Sequence, residues 1–368
     1  MYKRFSAFTP FLYVPGILYR AGLNLHNRAF ETGFMPVYTL PQPTISVGNL
    51  TLGGTGKTPF VIYLAVLLKE MGAITAVLTR GYGRIQARKT IILSPDDNSH
   101  FSAQQIGDEP SLLRRRLPET WFGISANRFS TANSISQQKN PEKKDGRFIF
   151  VLDDGFQHRK IHRDLDIVLI DQNQPPYSER LFPLGSLREP VAQLRRANVV
   201  VINGIVSPDA TKTKNDSVSV IKEKLRIYAP DAEFFHCFQP IQDIIPYYTW
   251  IDAQKQSPSI SDIKTAFLAA AIGNPYRFKQ DIKGMGIEIR GCAFFRDHAA
   301  IDWKNCIKSA QKEGAEAIII TEKDAVKISR PPDFPLFVAI QTTVIPEAER
   351  FCQILQKRIF PDDSVAHV

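Results

Sequence analysis

One stretch constrains the fold of this chain more than any other: SVGNLTLGGTGKTP, residues 46–59. An apolar run precedes it and a helical pattern follows it. A glycine-rich turn between a strand and a helix presents backbone N–H groups to phosphate, and a Lys-Thr pair adds a cation and a hydroxyl for Mg²⁺. The stretch therefore predicts a phosphate-binding loop whose nucleotide-binding residues are Gly53, Gly54, Thr55, Gly56, Lys57 and Thr58.

Two residues of the loop qualify this prediction. Thr51 stands where the strict loop pattern has a glycine, which leaves open a glycine-rich turn with an incidental lysine. Pro59 supports the loop, because a missing N–H is harmless only in the first turn of a helix. The helix is therefore expected to begin near Lys57.

Short apolar runs alternate with helical patterns over the first 230 residues. The strands are expected at 44–48, 74–79, 121–125, 148–153, 166–171 and 198–202, and the helices at 57–71, 108–117, 126–137 and 217–229. Continuous Val/Ile/Leu strands that alternate with helices are typical of a mostly parallel sheet covered on both faces. The predicted fold is a P-loop NTPase-like, three-layer α/β domain with a mostly parallel sheet.

A second, smaller α/β domain is predicted towards the C-terminus. Its strands are expected at 265–272, 289–295, 316–320 and 336–340, with helices at 275–284 and 302–313 and a last helix at 346–358. Polar segments at 136–146 and 207–219 are expected to be surface loops. The predicted organisation is an N-terminal segment 1–30, a P-loop domain 31–238, an extended connector 239–262, a smaller α/β domain 263–345, and a C-terminal helix and tail 346–368.

A pair of carboxylates complements the loop. Asp153 and Asp154 end the apolar run FIFVLDD, and ligands of α/β sheets bind at the carboxyl ends of strands. Either carboxylate can hold Mg²⁺ as a Walker-B aspartate does, or can simply cap a turn. Glu322 occupies the lysine position of a guanine-reading motif in the segment TEKD, so ATP is preferred to GTP.

The N-terminal segment and the net charge both bear on partners. The apolar residues Ile17, Leu18, Ala21 and Leu25 recur at helical spacing, with Arg20 and Arg28 off that face. Such a helix can lie on an anionic bilayer or pack on its own domain. A formal charge of +9 favours anionic partners.

Several polar clusters beyond the loop complete the pattern: LTRGYGR (78–84), GDEP (107–110), DDGFQHRKIHRDLDIVLID (153–171), LFPLGSLREP (181–190), AIGNPYRF (271–278), FRDH (295–298) and TEKDAVK (321–327). In this order, and together with the loop, they closely resemble the tetraacyldisaccharide 4'-kinases. The resemblance implies transfer of the γ-phosphate of ATP, with Mg²⁺, to the 4'-hydroxyl of a tetraacyl-glucosamine disaccharide 1-phosphate in lipid A biosynthesis. Thr51 also fits that family, whose loop generally opens with Thr or Ser.

The resemblance also implies roles for individual residues. Asp108 becomes the base for the sugar hydroxyl and His298 its orienting partner, with Lys57 as the catalytic cation. Capping of a helix by Asp108 and plain packing of His298 are the structural alternatives. His298 is expected on the smaller domain, so that domain closure brings it to Asp108. The candidates for the metal site are Thr58, Glu109, Asp153 and Asp154.

Further candidates follow from the same clusters. Thr51 and Asn274 are expected to contact the nucleotide. Residues expected to bind the substrate are Asn49, Arg80, Tyr82, Arg128, Gln157, His158, Arg188 and Glu189. The sequence does not decide which arginine binds the 1-phosphate.

The expected partners are the acylated disaccharide and an anionic membrane surface. The protein is expected to be peripheral, at the cytoplasmic face of the bacterial inner membrane, without nucleic acid or an obligate protein partner. A P-loop switch ATPase and a nucleic-acid-binding ATPase are the alternatives. The switch ATPase predicts slow hydrolysis that is stimulated by a protein rather than by the lipid, and the nucleic-acid-binding ATPase predicts binding to single strands.

Overall fold

A computed structural model describes residues 9–97, 99, 101–138, 147–204, 217–252 and 263–360. The helices are α1 (Thr9–Glu31), α2 (Lys57–Glu70), α3 (Ala103–Ile106), α4 (Asp108–Arg116), α5 (Arg128–Gln138), α6 (Val218–Arg226), α7 (Tyr247–Ile251), α8 (Pro275–Gly284), α9 (Trp303–Lys312), α10 (Glu322–Ala325) and α11 (Ala348–Ile359). The strands are β1 (Thr44–Asn49), β2 (Ala73–Thr79), β3 (Ile91–Leu93), β4 (Trp121–Ile124), β5 (Arg147–Asp153), β6 (Leu165–Asp171), β7 (Val199–Gly204), β8 (Glu233–Phe238), β9 (Ile241–Pro246), β10 (Thr265–Ala270), β11 (Glu288–Phe294), β12 (Ala317–Thr321) and β13 (Leu336–Gln341).

The chain divides into two compact units, each built from separate stretches of sequence. Unit 1 contains residues 1–79, 127–238 and 344–368, and unit 2 contains residues 80–126 and 239–343. This division differs from the predicted domains, because residues 80–126 cluster with unit 2 and α11 clusters with unit 1. Hydrophobic periodicity finds the elements but does not report which distant segments pack together.

The sheet of unit 1 places the loop at its centre. Its strands lie in the order β2-β5-β1-β6-β7-β8, and every neighbouring pair is parallel. Strands β1 and β5 pair with Val47 opposite Asp153, so the loop and the carboxylates leave the same edge of the sheet. This topology confirms the predicted mostly parallel α/β fold.

Helix α11 completes the core of unit 1. Its Phe351 is fully buried. The centroid of the Phe351 ring lies 6.1 Å from that of Phe60 in α2 and 5.3 Å from that of Phe235 in β8. Aromatic edge contacts of this kind add to the hydrophobic burial of the last helix.

Helix α1 presents two opposite faces. Gly16, Asn27 and Phe30 are buried against the rest of unit 1. The apolar residues of the other face remain exposed: Val14 by 64%, Ile17 by 65%, Leu18 by 68% and Leu25 by 72%. The helix therefore packs on its own unit while the predicted apolar face stays uncovered. In the described part of the chain, no helix is long and apolar enough to cross a membrane.

Unit 2 contains a smaller sheet with the order β11-β10-β12-β13-β9, in which only β9 runs antiparallel to its neighbour. Alternate residues of β10 enter two different clusters, Phe267 on one face and Leu268 on the other. Strands β3 and β4 pair antiparallel. The second α/β sheet predicted from the sequence is thus present.

The predicted extended connector 239–262 is structured in its described part. Residues 241–246 form β9, an edge strand that pairs with β13 rather than with a neighbouring segment, and α7 follows. Residues 253–262 lie outside the described residues, as do most of the predicted loops 136–146 and 207–219 and the tail after 360.

Candidate active site

The glycine-rich loop is closed by the start of α2. Gly56 adopts the left-handed backbone conformation, with φ 83°, directly before Lys57 begins the helix. Lys57 and Thr58 therefore lie in the first turn, where N–H groups lack partners within the helix. The predicted start of the helix is confirmed.

A second segment clamps the opening of the loop. The amide of Leu52 donates to the carbonyl of Ser186 at 2.7 Å, and that of Arg188 to the carbonyl of Leu50 at 2.8 Å. Thr51 lies between them as a bridge partner of Leu187 and is buried. The predicted segment LFPLGSLREP is thus fixed beside the loop, which brings Arg188 to it.

Three side-chain amides donate hydrogen bonds to backbone carbonyls of the loop. Asn203 at the end of β7 donates to the carbonyl of Thr55 at 3.0 Å, and Asn49 to the carbonyl of Thr51 at 2.8 Å. Gln157 donates to the carbonyl of Asn49 at 2.9 Å. Asn49 and Gln157 are both predicted to bind substrate, and in this structure their side-chain NH2 groups donate to the loop.

Asp154 is the centre of a charged group that we call the Asp154 cluster: Lys57, Arg128, Asp154 and Arg188. Its carboxylate lies 3.4 Å from Lys57 Nζ and accepts from Arg188 Nη1 at 2.8 Å, while Arg128 donates to its carbonyl at 3.3 Å. Burial raises the pKa of Asp154, but the surrounding cations outweigh burial and hold the pKa well below its usual range. The cluster carries three cations against one carboxylate.

The loop and the Asp154 cluster fit a nucleotide. A Cβ atom built on Gly53 or Gly54 meets no atom within 4 Å, so the backbone there is open to a ligand. Thr55 Oγ1 and Arg188 Nε are buried without a hydrogen-bond partner in the described part of the chain. A hydroxyl of the loop and a guanidinium donor of the Asp154 cluster, both without a partner, suit phosphate oxygens.

A metal at this edge would depend on the nucleotide for most of its ligands. Asp153 is buried and accepts from Thr79 Oγ1 at 3.1 Å. Among the described residues, no group of three or more His, Cys, Asp or Glu side chains is placed to hold a metal ion. Mg²⁺ commonly takes one or two carboxylates together with substrate phosphates and water, which this arrangement fits.

Unit 2 contains a second charged group, which we call the His298 cluster: Asp108, Glu109, Asp297, His298 and Lys323. His298 Nδ1 lies 3.0 Å from Asp108 Oδ2. Lys323 Nζ lies 3.3 Å from Glu109 Oε1, 3.3 Å from Asp297 Oδ1 and 3.2 Å from His298 Nε2. Because Asp108 and His298 belong to one unit, the prediction that domain closure joins them is wrong.

Asp108 is positioned by the start of α4. Gly107 precedes it with φ 99°, and a Cβ atom there would lie 3.0 Å from the carbonyl of Tyr82. The Tyr82 ring is 75% exposed, with its centroid 6.1 Å from that of His298. The turn thus requires glycine, and both the predicted base and Tyr82 lie near the imidazole of His298.

The backbone marks both clusters in the same way. Among the described residues, Asp154 and His298 are the two non-glycine residues with positive φ, at 51° and 65°. An L-residue in the left-handed region is strained, and such residues concentrate at functional sites. This strain therefore singles out one residue of each cluster independently of the sequence motifs.

Charge around Lys323 is the reverse of that around Asp154. Burial acts to lower the pKa of Lys323, but Glu109 and Asp297 raise it above its usual value. One ammonium thus faces two carboxylates, with a third at Asp108. Glu109, predicted as a candidate metal ligand, is held by this ammonium in the structure.

Other predicted site residues have structural partners. Glu189 is buried and pairs with Arg196 at 2.6 Å, and the Asn274 side chain caps α8 by accepting from the amide of Arg277 at 3.2 Å. The carbonyl of His158 accepts from Arg163 at 3.2 Å, and Arg80 is exposed at the surface of unit 2. Their expected contacts with substrate or nucleotide stay predictions.

Sequence reasoning missed three residues of these sites. Lys323 and Asp297 stand in the segments TEKDAVK and FRDH, which carry the family resemblance, but the sequence assigns a role to neither residue. Asn203 follows an apolar strand as an ordinary polar residue. The available signal for Lys323 was that it is a lysine between two acidic residues of the segment TEKD. Sequence spacing, however, cannot show that it pairs with His298, which is 25 positions away.

Comparison with known proteins agrees with this geometry. The family model LpxK, tetraacyldisaccharide-1-P 4'-kinase, matches residues 8–360. The tetraacyldisaccharide 4'-kinase of Aquifex aeolicus is 33% identical over 324 residues, covering 88% of this chain and 90% of that protein. The enzyme of Syntrophus aciditrophicus is 33% identical over 356 residues, covering 93% and 91%.

A solved structure extends the likeness to the fold. The crystal structure of LpxK from Aquifex aeolicus, described as an apo form in complex with ATP, superposes with a TM-score of 0.71 at 26% identity. The match covers 96% of this chain and 99% of the other. The family decides against both alternatives, the switch ATPase and the nucleic-acid-binding ATPase. A phosphate loop, a strained aspartate among cations and a family match from residue 8 to 360 lead to one conclusion: this chain belongs to the tetraacyldisaccharide 4'-kinases of lipid A biosynthesis.

Proposed function

We propose that this chain transfers the γ-phosphate of ATP to the 4'-hydroxyl of an acylated disaccharide 1-phosphate, with Asp108 accepting the proton of that hydroxyl. The observation that carries the proposal is the contact of 3.0 Å between Asp108 Oδ2 and His298 Nδ1, made by a histidine with strained backbone. A sugar hydroxyl is a weak nucleophile, so a positioned carboxylate assists its attack.

The Asp154 cluster is assigned to phosphate binding. When bound, ATP supplies the phosphoryl group and Mg²⁺ neutralises charge on the phosphates. Lys57 and the amides of the loop face the phosphates, and Arg188 offers its Nε donor to them. Thr58 and the two carboxylates Asp153 and Asp154 are the residues that would hold Mg²⁺.

The His298 cluster is assigned to proton transfer. Asp108 is 17% exposed and His298 35%, so both remain accessible at the surface of their unit. The imidazole contacts Oδ2 through Nδ1 and leaves Oδ1 for the substrate hydroxyl.

Helix α1 is assigned to docking on an anionic bilayer. Its exposed apolar face of Val14, Ile17, Leu18 and Leu25 lies opposite the face that packs on unit 1. Arg20 and Arg28 are also exposed and can contact lipid phosphates. Since the acylated substrate resides in a bilayer, we place the protein at the cytoplasmic face of the inner membrane.

An assay with radiolabelled ATP and the acylated disaccharide 1-phosphate in mixed micelles tests the reaction. We expect a lipid product with a second phosphate, formed only when ATP and Mg²⁺ are both present. Hydrolysis of ATP without phosphorylation of the lipid would overturn the proposal.

A matched pair of variants tests the docking face. Leu25→Glu places a charge on the apolar face, whereas Asn24→Glu places the same charge on an exposed neighbouring position. Leu25→Glu is expected to reduce sedimentation with vesicles that contain anionic lipid, and Asn24→Glu to retain it. Equal binding by both variants would remove α1 from the docking surface.

A further inference from the structure

We infer that Lys323 is a positioning residue for phosphoryl transfer: it fixes His298 in the tautomer with its proton on Nδ1 and thereby orients Asp108. This inference rests on the proposed roles of Asp108 and His298. Neither the sequence motifs nor the family comparison singles out Lys323 for this task.

The first step is the set of acceptors around Lys323. An ammonium group has three donors and no acceptor. The distances from Nζ to Glu109 Oε1 and Asp297 Oδ1 are 3.3 Å each, and the distance to His298 Nε2 is 3.2 Å. One acceptor is thus available for each donor, and the side chain is only 19% exposed. The two carboxylates keep the ammonium charged and anchored.

The second step is the tautomer of His298. Because the ammonium can only donate, the nitrogen that faces it must be the acceptor, so Nε2 carries the lone pair. The proton of the neutral ring is then on Nδ1, which lies 3.0 Å from Asp108 Oδ2 and donates to it. In the other tautomer, two lone pairs would meet at Asp108 and two donors would meet at Lys323. Both contacts therefore favour the same tautomer.

The third step is the consequence for Asp108. A donor on Oδ2 holds the carboxylate in one rotamer and leaves Oδ1 for the substrate hydroxyl. The backbone of His298 is strained, with φ 65°, and its ring contacts Asp108 through Nδ1 and Lys323 through Nε2. Residues that orient a functional side chain in this way are typically worth about 10–100-fold in activity.

A purely structural role is the competing explanation. Lys323 also neutralises Glu109 and Asp297, so its loss can destabilise the fold without affecting the chemistry. Arg116 provides a matched control, because its described contacts are with Glu322, the residue before Lys323, and with the carbonyl of Gln341. Arg116→Gln therefore disturbs the same short helix without touching Asp108 or His298.

The kinetic experiment compares Lys323→Met, Lys323→Arg and Arg116→Gln in the full-length protein. Lys323→Met is expected to lower kcat by about 10–100-fold with unchanged KM for ATP and lipid. Lys323→Arg, which still donates to Nε2, is expected to restore most of kcat. Arg116→Gln is expected to lower the melting temperature while keeping kcat. Normal kcat in Lys323→Met would overturn the inference.

A spectroscopic experiment needs no folded variant of Lys323. Nitrogen-15 NMR of labelled histidine distinguishes the two tautomers, and His298→Asn assigns the signal among the seven histidines. At a pH of about 8, where an ordinary imidazole is neutral, the proton of His298 is expected on Nδ1. A proton on Nε2 in the wild-type protein would overturn the inference.

The outcomes separate this inference from the proposed function. If Asp108→Asn keeps normal kcat, the proposed base is wrong whatever Lys323 does. If Asp108→Asn is slow and Lys323→Met is normal, only the role of Lys323 fails.

Discussion

The Asp154 cluster and the His298 cluster use the same kinds of side chain in opposite proportion. Around Asp154, the cations Lys57, Arg128 and Arg188 outnumber one carboxylate and lower its pKa. Around Lys323, carboxylates outnumber one ammonium and raise its pKa. The difference fits the two proposed tasks, since positive charge favours the binding of phosphate and negative charge suits a proton acceptor.

The two clusters also differ in how the chain builds them. Three members of the Asp154 cluster lie on or beside a glycine-rich loop and the strand next to it, in one continuous parallel sheet. The His298 cluster brings together residues from three distant segments, and Glu109 and Lys323 are 214 positions apart. One strained residue, Asp154 or His298, is nevertheless present in each. Four predictions test whether this division of tasks holds.

The largest expected effect is that of Lys57→Ala in the Asp154 cluster. Loss of a cation that faces the phosphates should lower turnover by about 10³-fold. A fluorescent ATP analogue should bind more weakly, and the melting temperature without nucleotide should change little. Near-normal turnover would show that Lys57 does not act in the site. It would also contradict the assignment of the Asp154 cluster to phosphate binding.

Asp108→Asn tests the His298 cluster, in which carboxylates outnumber the cation. Loss of a general base should lower kcat by about 10²-fold or more, whereas affinity for ATP should stay normal. Initial rates at saturating lipid, together with equilibrium binding of ATP, measure the two effects separately. A collapse of ATP affinity instead would place Asp108 with the metal ligands rather than with the proton acceptor.

Relief of backbone strain should have a smaller effect, a gain in the stability of the glycine variant over the alanine variant, in both clusters. Because Asp154 and His298 have positive φ, glycine at either position should be more stable than alanine by about 1 kcal/mol. Urea unfolding of the four variants measures the difference. Asp153, an ordinary residue of β5, is the control, and there alanine should be the more stable. Greater stability of alanine at Asp154 or His298 would show that strain is not stored there.

The smallest expected effects are changes in stability with pH, and those due to Asp154 and Lys323 should have opposite signs. The folded pKa of Asp154 is lowered, so its stabilisation is present above the ordinary carboxyl pKa of about 4 and is lost as the pH falls. The folded pKa of Lys323 is raised, so its stabilisation is present below about pH 10 and is lost as the pH rises further.

Melting temperatures of wild type, Asp154→Asn and Lys323→Met across pH, with a chelator and without nucleotide, measure these effects. Each difference should stay near 1 kcal/mol, because partly exposed charges are screened. The deficit of Asp154→Asn should shrink in acid and that of Lys323→Met in alkali. The same pH trend for both variants would contradict the reversed electrostatics.

Much of this protein was determined by sequence alone. The loop 46–59, the alternating strands and helices, and the polar clusters in their order predicted the α/β fold and the kinase family, and both are confirmed. They also predicted ATP as the phosphoryl donor, and the related Aquifex aeolicus structure is a complex with ATP. These features are local: a glycine-rich turn, a period of apolar residues and a strand-end carboxylate each express their physical requirement within a few residues.

Only the tertiary structure decided the pairings between distant segments. It placed Asp108 and His298 in one unit, brought Lys323 to both Glu109 and His298, and showed the side-chain NH2 groups of Asn49 and Gln157 donating to the loop. It also showed that the apolar face of α1 is exposed while the other face packs. The physical reason is that hydrogen bonds and ion pairs act over a few ångströms in space, and sequence spacing does not report which segments reach that distance.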